Sequence, residues 1–142
     1  MIHLRVVVLF IVVVVLGLAA CGNESTIAGD RLPVQQPGED YGHQSVPLTG
    51  LILLQDDGCW TVDLGDGDRL VVFPQGFTQD PNDGSLIVGP DGTIVQSATV
   101  IDAMGGVVPS SQLADGSDGY WGGYLAFCNP EVQDFVVLDA LE

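Results

Sequence analysis

Asp63, Asp66 and Asp68 fall within six residues, and the Asp-x-x-Asp spacing recurs at Asp80/Asp83 and Asp115/Asp118. Closely spaced carboxylates offer the oxygen ligands that Ca²⁺ takes in sets of about six to eight, and weak sites suffice outside cells. None of these groups has the ligand order or closing Glu of an EF-hand loop. Asp-Gly dipeptides give a plainer reason for so much aspartate. They occur at Asp57, Asp66, Asp83, Asp91, Asp115 and Asp118, each followed by Gly. Asp and Gly tolerate the positive φ of tight turns. Turn chemistry explains the acids without a cofactor, and a Ca²⁺ site at Asp63, Asp66 and Asp68 stands as the alternative.

Other chemistry is poorly supplied. From Leu48 onward the chain has no His and no Lys, and Arg69 is its only base. A Ser-His-Asp or Cys-His arrangement is therefore not expected there. A zinc centre lacks ligands in number, and no Lys-bearing phosphate loop is present. Paired carboxylates can hydrolyse glycosides, but Asp at turn tips implies no apolar cleft to raise one pKa. The expectation is a protein that is not an enzyme, with a small carboxylate-dependent hydrolase as the third reading. The segment GYWGGY places Tyr120, Trp121 and Tyr124 among glycines. Exposed, such rings suit sugar stacking or a protein contact; buried, they fill a core.

The charge balance narrows the partners. Nineteen acids face three Arg, a formal charge of −16. Nucleic acid and anionic headgroups are repelled by such a chain. A basic envelope protein would be attracted to it, and a glycan is the other partner considered.

The elements that must position these groups read as strands. Apolar runs at 49–55, 59–64, 69–73, 85–89, 93–101, 123–127 and 135–139 are separated by Asp- and Gly-rich turns. No stretch keeps a helical stripe for three turns. Short strands with regular turns predict an all-β domain. About 95 residues fit five to seven short antiparallel strands, as a small closed barrel of OB-like or SH3-like kind, or as a small sandwich. Closure would remove exposed sheet edges.

Cys59 and Cys128 form an even pair, which in an exported domain predicts a disulfide. On 59–64, Cys59 alternates away from Trp60, Val62 and Leu64. On 124–128, read as a strand, Cys128 alternates away from Leu125 and Phe127. Both cysteines would then lie opposite the more apolar faces of their strands.

The third cysteine, Cys21, follows a different logic. Residues 1–5 carry one positive charge, residues 6–16 are an unbroken apolar run, and small residues precede Cys21. That is the layout of an export signal. A transmembrane helix needs about 20 apolar residues; Val6 to Ala20 supplies 15, with no basic cluster after it. Leu18-Ala19-Ala20-Cys21 resembles the lipobox of bacterial lipoproteins, matching its Leu, two small residues and cysteine. The resemblance covers residues 1–21 and departs only in having a single Arg in the basic region. It implies a diacylglyceryl group on the Cys21 thiol, cleavage before Cys21, and a cell-membrane anchor facing the extracytoplasmic side.

The expected organisation is a cleaved signal at 1–20, a lipidated N-terminus and flexible tether at 21–47, and an acidic β domain at 48–142. His43 falls in the tether, where a solvated role is expected. The expected function is a lipid-anchored, non-catalytic binding or structural module. A Ca²⁺-binding surface module is the alternative.

Overall fold

A computed structural model describes residues 32–113 and 119–142. Residues 1–31, which include the lipobox-like segment, and the Asp115/Asp118 pair lie outside the described residues. Among the described residues, eight strands and one α-helix follow in chain order: β1 (Val46–Leu54), β2 (Trp60–Asp63), β3 (Asp68–Val72), β4 (Thr78–Gln79), β5 (Leu86–Val88), β6 (Ile94–Gln96), β7 (Thr99–Pro109), α1 (Tyr120–Cys128) and β8 (Asp134–Leu141).

Five strands close a barrel in the order β1-β2-β3-β8-β7, with β7 returning to β1. Strands β1, β2 and β3 form a meander, and β7 comes back beside β1, which is a Greek key. Insertion of β8 between β3 and β7 completes an OB-like closure. The expectation of antiparallel strands holds for every barrel pair except β3 and β8, which run parallel with Leu70 opposite Phe135. Strands β4, β5 and β6 make a separate antiparallel sheet. Its Ile87 and Val95 pack into the barrel core. The run at 93–101 is thus two strands, turned at Ala98 with φ of 64°.

Strand alternation sorts the core into two layers. Ile52, Trp60, Val62, Val71, Phe73, Val136 and Leu138 form one cluster, inside the barrel. Leu70, Val72, Phe135 and Val137 alternate with them and form a second cluster, with Cys59, under α1. Several barrel strands are therefore apolar on both faces, and the outer face requires a cover.

That cover is the run at 123–127, expected as a strand and found as helix. Trp121, Tyr124, Leu125 and Cys128 share one helical face at i, i+3, i+4 and i+7, and all four join the second cluster. Because the helix has no charged residue, a period of two fits it as well as a period of 3.6. Asn129 ends it in the left-handed region (φ 41°, ψ 57°), where Asn is tolerated, with its N–H on the Leu125 carbonyl. The disulfide forms as expected, with Cα atoms 5.8 Å apart. Cys59 lies outside the barrel, opposite Trp60 and Val62, as alternation predicts. Cys128, however, sits on the barrel-facing side of α1 rather than on a strand.

The ordered unit begins earlier than Leu48. Leu32 and Tyr41 are buried. The Pro33 carbonyl accepts from Phe73 N, and Gln35 N donates to the Phe73 carbonyl, both at 2.8 Å. Glu39 takes hydrogen bonds from Trp121 Nε1 and the Tyr41 hydroxyl. An arm of Pro, Gly and Gln without strand periodicity still packs when its few apolar residues find a surface. His43 is accordingly not a solvated linker residue: its Nε2 lies 3.1 Å from Asp139 Oδ2, and its side chain is 11% exposed. It rests over Gly106, where a Cβ would come within 2.7 Å of His43 Cδ2.

Asp139 supplies a pH test of this arm. Partial burial works to raise its pKa, but hydrogen bonds from Ser45 and His43 outweigh burial and hold it below 3.8. A depressed carboxylate stabilises the fold above its ordinary pKa, and that contribution is lost as pH falls through the folded value. Asp139→Asn should therefore lower the urea midpoint at pH 5, and the gap from wild type should narrow as pH falls below 3.8 and through the depressed folded pKa. A gap that persists undiminished at low pH would refute the pairing.

Candidate functional site

Asp63 and Asp68 are direct cross-strand partners at the end of the β2–β3 hairpin. Like charges placed directly opposite are destabilising. Their backbone partners show how the pair is tolerated. Asp63 Oδ1 accepts from Gly65 N at 2.7 Å and Gly67 N at 3.2 Å. Asp68 Oδ1 accepts from Glu131 N at 2.9 Å. One oxygen of each carboxylate is thus used to hold chain, and each keeps a second acceptor for an outside cation.

Both residues line an open concavity of about 450 Å³. The β1–β2 turn adds Asp57, and the segment after α1 adds Asn129 and Glu131. Cys128 lines it too, so the disulfide fixes the post-helix wall against the β1–β2 turn. Asp57 Oδ1 accepts from Cys59 N at 3.0 Å, one of the i to i+2 Asx contacts that recur at Asp80, Asp83 and Asp91. The turn reading of these aspartates is thereby observed, and four carboxylates nonetheless share one surface.

Asp66, grouped with Asp63 and Asp68 by sequence, goes elsewhere. Arg69 donates both terminal nitrogens to its two oxygens, Nη2 to Oδ2 at 2.9 Å. The guanidinium hydrogen bonds hold Asp66 below the usual carboxylate range and raise Arg69 in turn. Arg69 is the only Arg or Lys in residues 32–142. It is committed to Asp66, which leaves the concavity without a bidentate cation of its own. Among the described residues no three His, Cys, Asp or Glu side chains converge as a metal centre.

The aromatic trio separates in the same way. Tyr120 is 46% exposed, whereas Trp121 and Tyr124 are buried. Edges of Tyr41, Tyr120 and Phe135 meet Trp121 at centroid distances of 6.1, 4.8 and 5.7 Å. Burial pushes the Tyr124 hydroxyl far above its ordinary pKa. Two of the three rings are core, and Tyr120 is the one at the surface.

Asp57 and Glu131 were not singled out by sequence. Asp57 carried the signal of an Asp-Asp-Gly turn. Glu131 carried none, because barrel closure alone brings it to Asp68. His43 and Ser45 both bond Asp139, so the imidazole and hydroxyl meet at a carboxylate instead of forming a nucleophile–base pair. Comparison with family models, with curated proteins and with solved structures finds no match to this chain.

Proposed function

We propose that this protein is a lipid-anchored envelope protein whose acidic barrel is a non-catalytic module that captures a basic partner. The observation that carries this reading is the concavity of Asp57, Asp63, Asp68 and Glu131, none of which forms an ion pair with an Arg or Lys among the described residues. A fold that keeps Asp63 opposite Asp68 accepts a stability cost, which a cationic partner would relieve. The anchor rests on Leu18-Ala19-Ala20-Cys21, and the disulfide suits an oxidising compartment outside the cytosol.

Two experiments test the two halves. Cys21→Ser should move the protein from the membrane to the soluble fraction, because each buried CH₂ of the acyl chains contributes about 0.8 kcal/mol. Wild type extracted from membranes should have a mass starting at Cys21 plus lipid; an intact Met1–Ala20 would end the anchor reading. For the barrel, a labelled oligo-arginine peptide should bind more tightly as ionic strength falls. The double change Asp63→Asn with Asp68→Asn should weaken that binding about tenfold, a difference of about 1.4 kcal/mol, without lowering the melting temperature. Equal affinity in the variant would refute the concavity. The same concavity favours the Ca²⁺ alternative through its oxygens: a saturable rise in melting temperature with Ca²⁺, at fixed ionic strength, would assign it to the cation.

A further inference from the structure

A second concavity, of about 570 Å³, lies between α1 and the barrel, away from the acidic one. Its floor is Phe135, Trp121 and Leu113, all buried. Leu125 and Ala126 of α1 form a wall, and Ser110, Ser111 and Gln133 bring hydroxyls and an amide to the rim. The volume falls in the range of about 300–1,000 Å³ typical of small-molecule sites, which pair apolar walls with a few polar groups. In a chain with nineteen acids, none of the described residues lining this cavity carries a charge.

These features select a ligand chemistry by exclusion. An anion would enter against the field of a chain of charge −16, with no basic group in the described lining to receive it. A cation would leave water for a cavity whose described lining has no carboxylate, which is costly, while the acidic concavity offers several. A sugar ring needs a bare aromatic face. The two aromatic rings of the described lining offer none: Phe135 is fully buried, and Trp121 is only 2% exposed, with three aromatic rings already packed about it. A flexible apolar tail requires no such face and fills irregular apolar space.

Glycine at 122 agrees with this. Gly122 lies inside α1 and lines the cavity. Its φ is not in the left-handed region, so the backbone conformation does not demand glycine. Glycine in a helix interior is destabilising relative to Ala. Glycine here leaves bare backbone as this part of the cavity wall.

We propose that this cavity binds an uncharged amphiphile, its apolar tail along Gly122, Leu125 and Ala126 of α1 and its hydroxyl-bearing head at Ser110, Ser111 and Gln133. The site is independent of the anchor and of the acidic concavity. The probe is a short-chain monoacylglycerol below its own aggregation concentration, added to the disulfide-intact protein. Binding should change the tryptophan emission saturably through Trp121, since Trp60 lies inside the barrel, and should raise the melting temperature. Gly122→Leu and Ala126→Phe, which fill the cavity from two positions, should each weaken binding at least tenfold. Ala126 is exposed, so its variant keeps the fold if the first does not. The fatty-acid anion of equal chain length should bind at least tenfold more weakly at neutral pH. No saturable response, undiminished affinity in a folded cavity-filling variant, equal affinity for the anion, or preference for a neutral disaccharide would each overturn the proposal.

Discussion

Removing the Cys59–Cys128 disulfide should cost roughly 4 kcal/mol, the chain-entropy value for a loop closed over a separation of 69 residues. That is a large share of the 5–15 kcal/mol that holds most domains together. The position of the bridge adds a structural reason. Helix α1 spans nine residues and contains two glycines. Isolated helices shorter than about 12–15 residues are marginal in water. Helix α1 persists because its Trp121 and Tyr124 are buried against the barrel and because Cys128 is tied to Cys59. The double variant Cys59→Ala with Cys128→Ala, or reduction of the native protein, should lower the melting temperature by roughly 15 °C or more. It should also weaken oligo-arginine binding, since Cys128 lines the acidic concavity. A drop of only one or two degrees would mean that packing alone holds α1.

The same helix shows where sequence reasoning succeeds and where it fails. Strands β1, β2, β3 and β8 were legible because Val, Ile and Leu runs between Asp-Gly turns admit no competing period. Cys59 was placed on the outer side correctly, since alternation around Trp60 and Val62 is strict. Residues 120–128 carry no charge, so no polar face marked which period applied. The Trp121, Tyr124, Leu125, Cys128 stripe was present, but over two turns rather than three. Parallel pairing of β3 with β8 left no local trace, because register between strands far apart in sequence is set by closure of the whole barrel. For that reason Glu131 beside Asp68 was not foreseeable, and Asp66, adjacent in sequence to the site residues, proved to belong to Arg69. The arm at 32–45 was read from its composition, which lacks periodicity. Its attachment depends instead on single side chains, Leu32, Tyr41 and His43, meeting surfaces that form elsewhere.

Trp60→Ala should destabilise the fold by about 3–5 kcal/mol, the usual cost of emptying a large aromatic site in a core. Trp60 is 1% exposed and meets Phe73 edge-on, with centroids 6.0 Å apart and planes at 89°. Both rings belong to the cluster inside a closed five-stranded barrel, whose walls cannot collapse without breaking hydrogen-bonded closure. Trp60→Phe separates volume from polarity. Among the described residues the Trp60 Nε1 has no hydrogen-bond partner, and an unsatisfied buried donor costs about 1–3 kcal/mol. Phe deletes that donor and keeps an aromatic against Phe73, so the loss of volume is partly offset. The expected net cost is well below that of Trp60→Ala, because about 1–3 kcal/mol of unsatisfied-donor cost is removed along with the volume. Urea midpoints of the two variants, at unchanged m-value, measure the difference. If Trp60→Phe proves as damaging as Trp60→Ala, the indole N–H contributes a hydrogen bond to the fold, and the barrel interior at Trp60 is hydrated rather than dry.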